Sequence, residues 1–316
     1  ECSLVEPIDY NKKFQHGTGY QGFPEYECYR TVEGTKQTVN DLLQKYPRLT
    51  SKVELPNYPT AELGQRLYAL VITNKEFNPK VSNPSFGDKG KLLAISGIHA
   101  RELATAETMT RFAEYLLENY GVDPDISWIL DYMEIHLILH ANPDGRVYLE
   151  KGGEKGFWKK NRNNAMNCNH WRYGVDPNRN FPFKWGKCDD SDGSRCTSSG
   201  DCQSVVYRGS SARSEAETKA ILQYALSEFP SSQRKGGLQK SEATLNTPFA
   251  EDSEGVFLDI HSHGRDVGWP WGFKNELTPN DAGLGALGRK FASFSGYSLW
   301  APKLPNRIYG FDGSTI

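Results

Sequence analysis

The chain has 316 residues, 37 Lys plus Arg against 39 Asp plus Glu, and a formal charge of −2. That balance argues against a nucleic-acid partner, which requires a basic excess or stripe, and against adhesion to an anionic membrane surface. Mean hydropathy is −0.63 and no run of about 18 uncharged apolar residues occurs, so no transmembrane helix is expected.

The sequence opens with Glu1-Cys2 and not with Met. A leader already removed, and hence a secreted protein (extracellular or periplasmic), is the expectation. The six cysteines agree with an oxidising compartment. The expected disulfides are Cys2–Cys28, Cys168–Cys202 and Cys188–Cys196, three bridges among the 15 pairings that six cysteines allow.

Residues 1–26 have no strong periodicity and form an N-terminal extension; residues 27–316 form one domain. Val32–Tyr46 carries apolar residues at helical spacing (Val39, Leu42, Leu43, Tyr46) and stops at Pro47. Leu67–Ile72 is a short strand. Lys91–Gly97 is nearly all apolar, as a strand buried on both faces should be. Leu103–Tyr120 is a long helix and Ile135–Ala141 a second buried strand. Ser214–Phe229 is a helix with a capping-box pattern at Ser214 and Glu217. Val256–Ser262 is a third buried strand, and Gly283–Tyr297 is helical. Asp189–Asp201 and Ser231–Glu254 are expected to be surface insertions. Strands alternating with helices of this length predict an α/β three-layer sandwich: a central, twisted, mixed but mostly parallel sheet with helices on both faces.

In open α/β sheets, sites lie beyond the carboxyl ends of strands. Two of the predicted strands run into histidine there. One leads to Ile98-His99-Ala100-Arg101-Glu102, the other to His261-Ser262-His263. His99 and Glu102 are three apart, so one turn at a helix start can aim both inward. With His261 they make two imidazoles and a carboxylate, the donor set of a catalytic zinc with an open fourth position. No H-E-x-x-H is present.

Here the sequence resembles a known family. Gly97–Glu102 is similar to the metal motif of the zinc metallocarboxypeptidases of the A/B/T type, peptidase family M14. In the same order, Asn142-Pro143-Asp144-Gly145 resembles the family's turn after a central strand, and Trp158–Arg162 its W-R-K-x-R segment. Gly174–Phe181 resembles its G-V-D-x-N-R-N block. Phe257–Ser262, followed by Trp269–Gly272, resembles the segment with the third ligand. Ile308-Tyr309 and Gly313 resemble the mobile-tyrosine loop.

The resemblance implies one zinc per chain, held by His99, Glu102 and His261, and hydrolysis of the C-terminal peptide bond of peptides or proteins by a zinc-activated water. Asn178 and Arg179 would hold the terminal carboxylate, for which the arginine fork is suited. Tyr309 would close over the substrate and donate its hydroxyl. Lys159 stands where the family has an oxyanion-stabilising arginine, keeping the charge without the fork; Arg162 is the alternative for that role. Asp259 falls at the specificity pocket and favours a C-terminal Lys or Arg, with Gly268 and Gly272 leaving room for a long side chain. Ile316 points instead to an apolar residue, and Asp259 could alternatively orient a metal histidine. The general base would be a glutamate past Ile316, as would the last strand and helix, so further residues are expected there.

Other signals are weaker. Gly283-x-Gly285-x-x-Gly288 follows Pro279-Asn280-Asp281 and not a strand, so a dinucleotide site is not expected. Asp190-x-Asp192 lacks the other features of a calcium loop. The competing functions are a zinc deacylase or amidohydrolase of the same fold, and a non-catalytic zinc- or peptide-binding relative. A monomer is expected.

Overall fold

The computed structural model describes residues 22–23, 26–84, 87–165, 167–168, 172–187, 197–229, 248 and 255–301. The elements are β1 (Gly22–Phe23), β2 (Tyr26–Arg30), α1 (Val32–Lys45), β3 (Thr50–Glu54), β4 (Tyr68–Ile72), α2 (Pro79–Ser82), β5 (Gly90–Ser96), α3 (Leu103–Asn119) and α4 (Pro124–Tyr132). They continue with β6 (Met133–Ile138), α5 (Pro143–Glu150), α6 (Ala216–Glu228), β7 (Val256–Ile260), β8 (Asp266–Gly268), α7 (Asp281–Ser295) and β9 (Ser298–Trp300). A five-stranded mixed sheet has the order β3-β4-β6-β5-β7. The β6-β5-β7 half is parallel and the β3-β4-β6 half antiparallel.

The alternation of side chains along the strands builds two cores. Leu70, Ile72, Ala94, Ile135 and Leu137 face one side and pack with Leu42 of α1, Leu116 and Leu117 of α3 and Leu130 of α4. Ala69, Val71, Leu93, Ile95 and Ile138 face the other and pack with Ala220, Ile221 and Tyr224 of α6. The sheet therefore lies between two helical layers, as the element pattern implies. Among the described residues β7 pairs only with β5 and is half-buried along its length, not a fully buried strand.

Local chemistry sets the boundaries. Asn142 caps α5 by accepting from Gly145 N, and Pro143 fills the first helical position, where a missing N–H costs nothing. The Asn-Pro-Asp-Gly motif is thus a helix start and not a simple turn. The capping box expected on α6 is not made. Glu215 is its cap residue without a side-chain bond, and Ser214 Oγ donates to Glu215 Oε1 at 2.5 Å. The Gly283–Gly288 motif lies within α7 and packs on Trp269: a Cβ at Gly288 would stand 2.8 Å from that ring. Gly285 and Gly288 serve packing, whereas Gly283 faces open space.

Cys168 and Cys202 form a disulfide. Cys28 is exposed, and no described cysteine lies beside it; the expected Cys2–Cys28 bridge falls on Cys2, outside the described residues. Cys2, Cys188 and Cys196 lie outside the described residues, as do the extension through Gln21 and most of both expected insertions.

Candidate metal centre

The centre stands at the carboxyl ends of the parallel strands. β5 ends at Ser96, and Gly97 turns the chain with a φ of +64°. Glu102 is the residue preceding α3, and its carbonyl accepts from Thr105 Oγ1 at 2.8 Å. That turn brings His99 Nδ1 to 2.7 Å from Glu102 Oε1. β7 lies beside β5 with Ser96 opposite Ile260, which delivers His261 to the same place. His261 Nδ1 is 3.0 Å from Glu102 Oε2, and the two imidazole centroids are 4.9 Å apart. One ligand atom from each of His99, Glu102 and His261 lies within 4.8 Å of the others. His99 and Glu102 are buried; His261 opens to solvent.

The far nitrogens of both rings meet carboxylates. His99 Nε2 is 3.0 Å from Asp176 Oδ1, and His261 Nε2 is 2.8 Å from Asp259 Oδ2. A proton on each Nε2 leaves each Nδ1 lone pair aimed at Glu102. This is the way metal-binding histidines are usually oriented. Asp176 is fully buried and accepts from Lys159 Nζ at 2.6 Å. Gly174 helps place it: φ is +106°, and a Cβ there would stand 2.2 Å from Asn161 O, so only glycine lets the two segments close.

The electrostatics fit a cation. Burial pushes Glu102 up, but His99 and His261 more than reverse this and hold it well below the usual carboxylate range. Burial likewise opposes ionisation of Asp176, and Lys159, His99 and Arg179 outweigh it. Burial disfavours charge on His261, yet Asp259 and Glu102 raise its pKa well above the ordinary value. Carboxylates that stay ionised in burial and stabilise positive charge on the imidazoles this strongly also favour a divalent cation there. Two imidazoles and one carboxylate suit zinc, so the residues present fit the metal.

The remaining expected residues divide. Asn178 Nδ2 is 3.0 Å from His261 Nε2 and 3.4 Å from Asp259 Oδ2, so it borders the centre. Arg179 is buried beside it and donates through Nε to Thr197 O and through Nη2 to Thr197 Oγ1. Among the described residues, Lys159 reaches the centre through Asp176. Arg162 is engaged elsewhere, donating to Glu62 Oε2 at 2.9 Å and stacked over Tyr148, Trp158 and Tyr173. At Gly268 a Cβ would stand 2.6 Å from Trp300, so the absence of a side chain there makes room for that indole. Tyr309 and Ile316 lie outside the described residues. Asp176 was not singled out from the sequence; the signal available was its place inside the Gly174–Phe181 block.

Comparison with known proteins agrees. The family model for zinc carboxypeptidases matches residues 35–299. Carboxypeptidase A1 of Rattus norvegicus is 28% identical over 297 residues, covering 92% of this chain and 59% of that protein. Carboxypeptidase A1 of Homo sapiens is 28% identical over 298 residues, with the same coverage of 92% and 59%. The chain thus spans about three-fifths of the length of these relatives. Among solved structures, carboxypeptidase A from Helicoverpa armigera superposes with a TM-score of 0.68 at 22% identity, covering 91% of this chain and 60% of that one. Thrombin activatable fibrinolysis inhibitor superposes with a TM-score of 0.69 at 18% identity, covering 91% and 62%. A family model that spans most of the chain, a shared fold and a converged donor set together place this chain in the zinc carboxypeptidase family.

Proposed function

We propose that this chain is a zinc-dependent metallocarboxypeptidase that hydrolyses the C-terminal peptide bond of peptides or proteins and releases one amino acid, with one zinc at this centre. The observation that carries the reading is the convergence of His99 Nδ1, His261 Nδ1 and the Glu102 carboxylate, each imidazole braced by its own aspartate. The chemistry that zinc supplies at such a site is a polarised carbonyl oxygen and a bound water acidified to a pKa of about 7.

The chain's own residues divide the remaining work. Asn178 and Arg179 are assigned the terminal carboxylate of the substrate, which would take over donors that Arg179 now gives to Thr197. Lys159 is committed to Asp176, so we assign it to holding that aspartate, and through it the tautomer and orientation of His99. Asp259 spends an oxygen on His261, which favours a positioning role over selection of a basic side chain. Tyr309 is assigned to closing over the substrate. A secreted monomer is the proposed state, and the Cys168–Cys202 disulfide suits an oxidising compartment. No described helix is long and apolar enough to cross a membrane.

The test is release of free amino acid from N-blocked dipeptides ending in Phe, Lys or Arg. Release that a chelator stops and added zinc restores is expected. Cleavage of N-acyl amino acids without cleavage of blocked dipeptides would replace this reading with a deacylase. Zinc binding without turnover of either would leave a non-catalytic relative.

A further inference from the structure

At the opposite end of the sheet a second cluster combines the same residue types. Glu134 and His136 lie on β6, and Glu228 is the last residue of α6. One ligand atom from each lies within 4.8 Å of the others. His136 is 4% exposed, and its buried Nε2 has no hydrogen-bond partner. That nitrogen is 3.5 Å from Glu134 Oε2. The separation is too long for a good hydrogen bond. It matches the spacing of about 3.4 Å between two ligands of a tetrahedral ion with bonds of about 2.1 Å.

Two further features favour a cation there. His136 Nδ1 is 2.6 Å from the Tyr224 hydroxyl. A hydroxyl can accept as well as donate, so Nδ1–H can bond Tyr224 while Nε2 presents a lone pair. Glu228 closes its helix, where the exposed carbonyls disfavour a carboxylate unless a cation offsets it. At present Lys91 does so: its Nζ is 2.7 Å from Glu228 Oε2 and 3.4 Å from Glu134 Oε2. Lys91 keeps 29% of its side-chain exposure, so its ammonium can leave for solvent. It is also a monovalent ligand of the carboxylates alone and satisfies nothing on His136.

We propose that Glu134, His136 and Glu228 form a second binding site for a zinc-class divalent cation, which displaces the Lys91 ammonium and ties α6 to the sheet. The site is independent of the catalytic reading, since it shares no residue with the His99 centre. One imidazole and two carboxylates suit zinc better than calcium or magnesium, which prefer all-oxygen shells.

The test counts zinc bound per chain after equilibrium dialysis of the full chain against buffered free Zn²⁺, in the wild type and in three variants. Glu228→Gln and His136→Gln are expected to bind one equivalent fewer than the wild type. Lys91→Met is expected to bind that equivalent about fivefold more tightly, since a half-buried ion pair no longer competes. Glu228 is partly exposed, so Glu228→Gln decides the matter if the buried His136→Gln does not fold. An equal count in wild type and Glu228→Gln overturns the proposal. A second equivalent seen only in Lys91→Met also overturns it, because Lys91 would then be the native occupant. If the His99 centre were itself empty, the counts would fall from one to zero and not from two to one, which separates the two failures.

Discussion

The two ends of one sheet gather nearly the same side chains and treat them differently. At the carboxyl ends of β5 and β7, every imidazole is braced by a carboxylate: His99 by Asp176 and His261 by Asp259. At the other end, His136 is braced by a neutral hydroxyl, and a lysine bridges the two acids. An aspartate behind a histidine makes it more basic and fixes its tautomer, whereas tyrosine leaves either tautomer open. On the proposed reading, the first end is thereby organised for a tightly held cation. The second can exchange one cation for another. Donor identity alone does not separate them; the second partner of each ring does.

The comparison breaks most completely if the ligands at the first end are dispensable. Glu102→Gln removes the centre's one anionic ligand, and loss of several kcal/mol of charge stabilisation should lower turnover by about 10³-fold. Zinc content after dialysis and amino-acid release should fall together. Retained turnover would sink the assignment of the centre.

The bracing aspartates sharpen it. Asp176→Asn leaves Lys159 buried without its carboxylate, and breaking a buried pair costs about 3–5 kcal/mol. Zinc affinity should also fall by about 10–100-fold as His99 loses its orienting partner. Asp259→Asn should weaken zinc comparably with a smaller loss in the denaturation midpoint, because the Asp259 side chain is buried at 4% exposed but the His261 side chain that it faces keeps 33%. Equal stability losses in the two variants would show that Lys159 is no part of the first site's support.

How much of this was legible in the sequence follows from how local each interaction is. His99 and Glu102 share one turn, and both histidines follow apolar strands, so the ligand set stands out in one dimension. The helical layers followed from spacing, as with Val39 and Leu42 in α1. Asp176 did not stand out, because His99 is 77 positions away and only the fold joins them. Asp144 was hidden similarly. Within an apparent turn motif, it accepts from Thr60 Oγ1 and from the amides of Glu62 and Leu63, contacts across more than 80 residues. The capping box failed for a related reason: buried neighbours outcompeted a local pattern, with Asn180 Nδ2 donating to Ser214 Oγ and Asn161 Nδ2 to Glu217 Oε2.

At the second end, Tyr224→Phe tests whether the hydroxyl braces His136. The variant leaves a buried ring nitrogen unsatisfied, at a cost of about 1–3 kcal/mol. Urea denaturation should show a lower midpoint with an unchanged slope. An unaltered midpoint would mean that Nδ1 finds another partner, and the contrast between hydroxyl and carboxylate bracing would lose its energetic content.

The smallest effect concerns an exception to charge matching beside the first end. Asn161 Nδ2 is shared between Glu215 Oε2 at 2.7 Å and Glu217 Oε2 at 3.2 Å. Glu217 is wholly buried, and its Oε1 has no hydrogen-bond partner. Burial, reinforced by Glu215, pushes its pKa up to about 8. The folded chain therefore keeps a proton on Glu217 that the unfolded chain releases above the ordinary glutamate range. Its contribution is most favourable below the unfolded pKa and declines as pH rises, until the folded carboxyl also ionises near its raised value. Between pH 7 and 8.5 the wild type should lose about 1 kcal/mol from this group. Glu217→Gln keeps the shape and cannot ionise, so its stability should fall less over the same interval. Parallel declines in the two proteins would show that Glu217 is already charged at pH 7. A counter-charge would then have to lie close by, and the carboxyl ends of the strands would be charge-matched throughout.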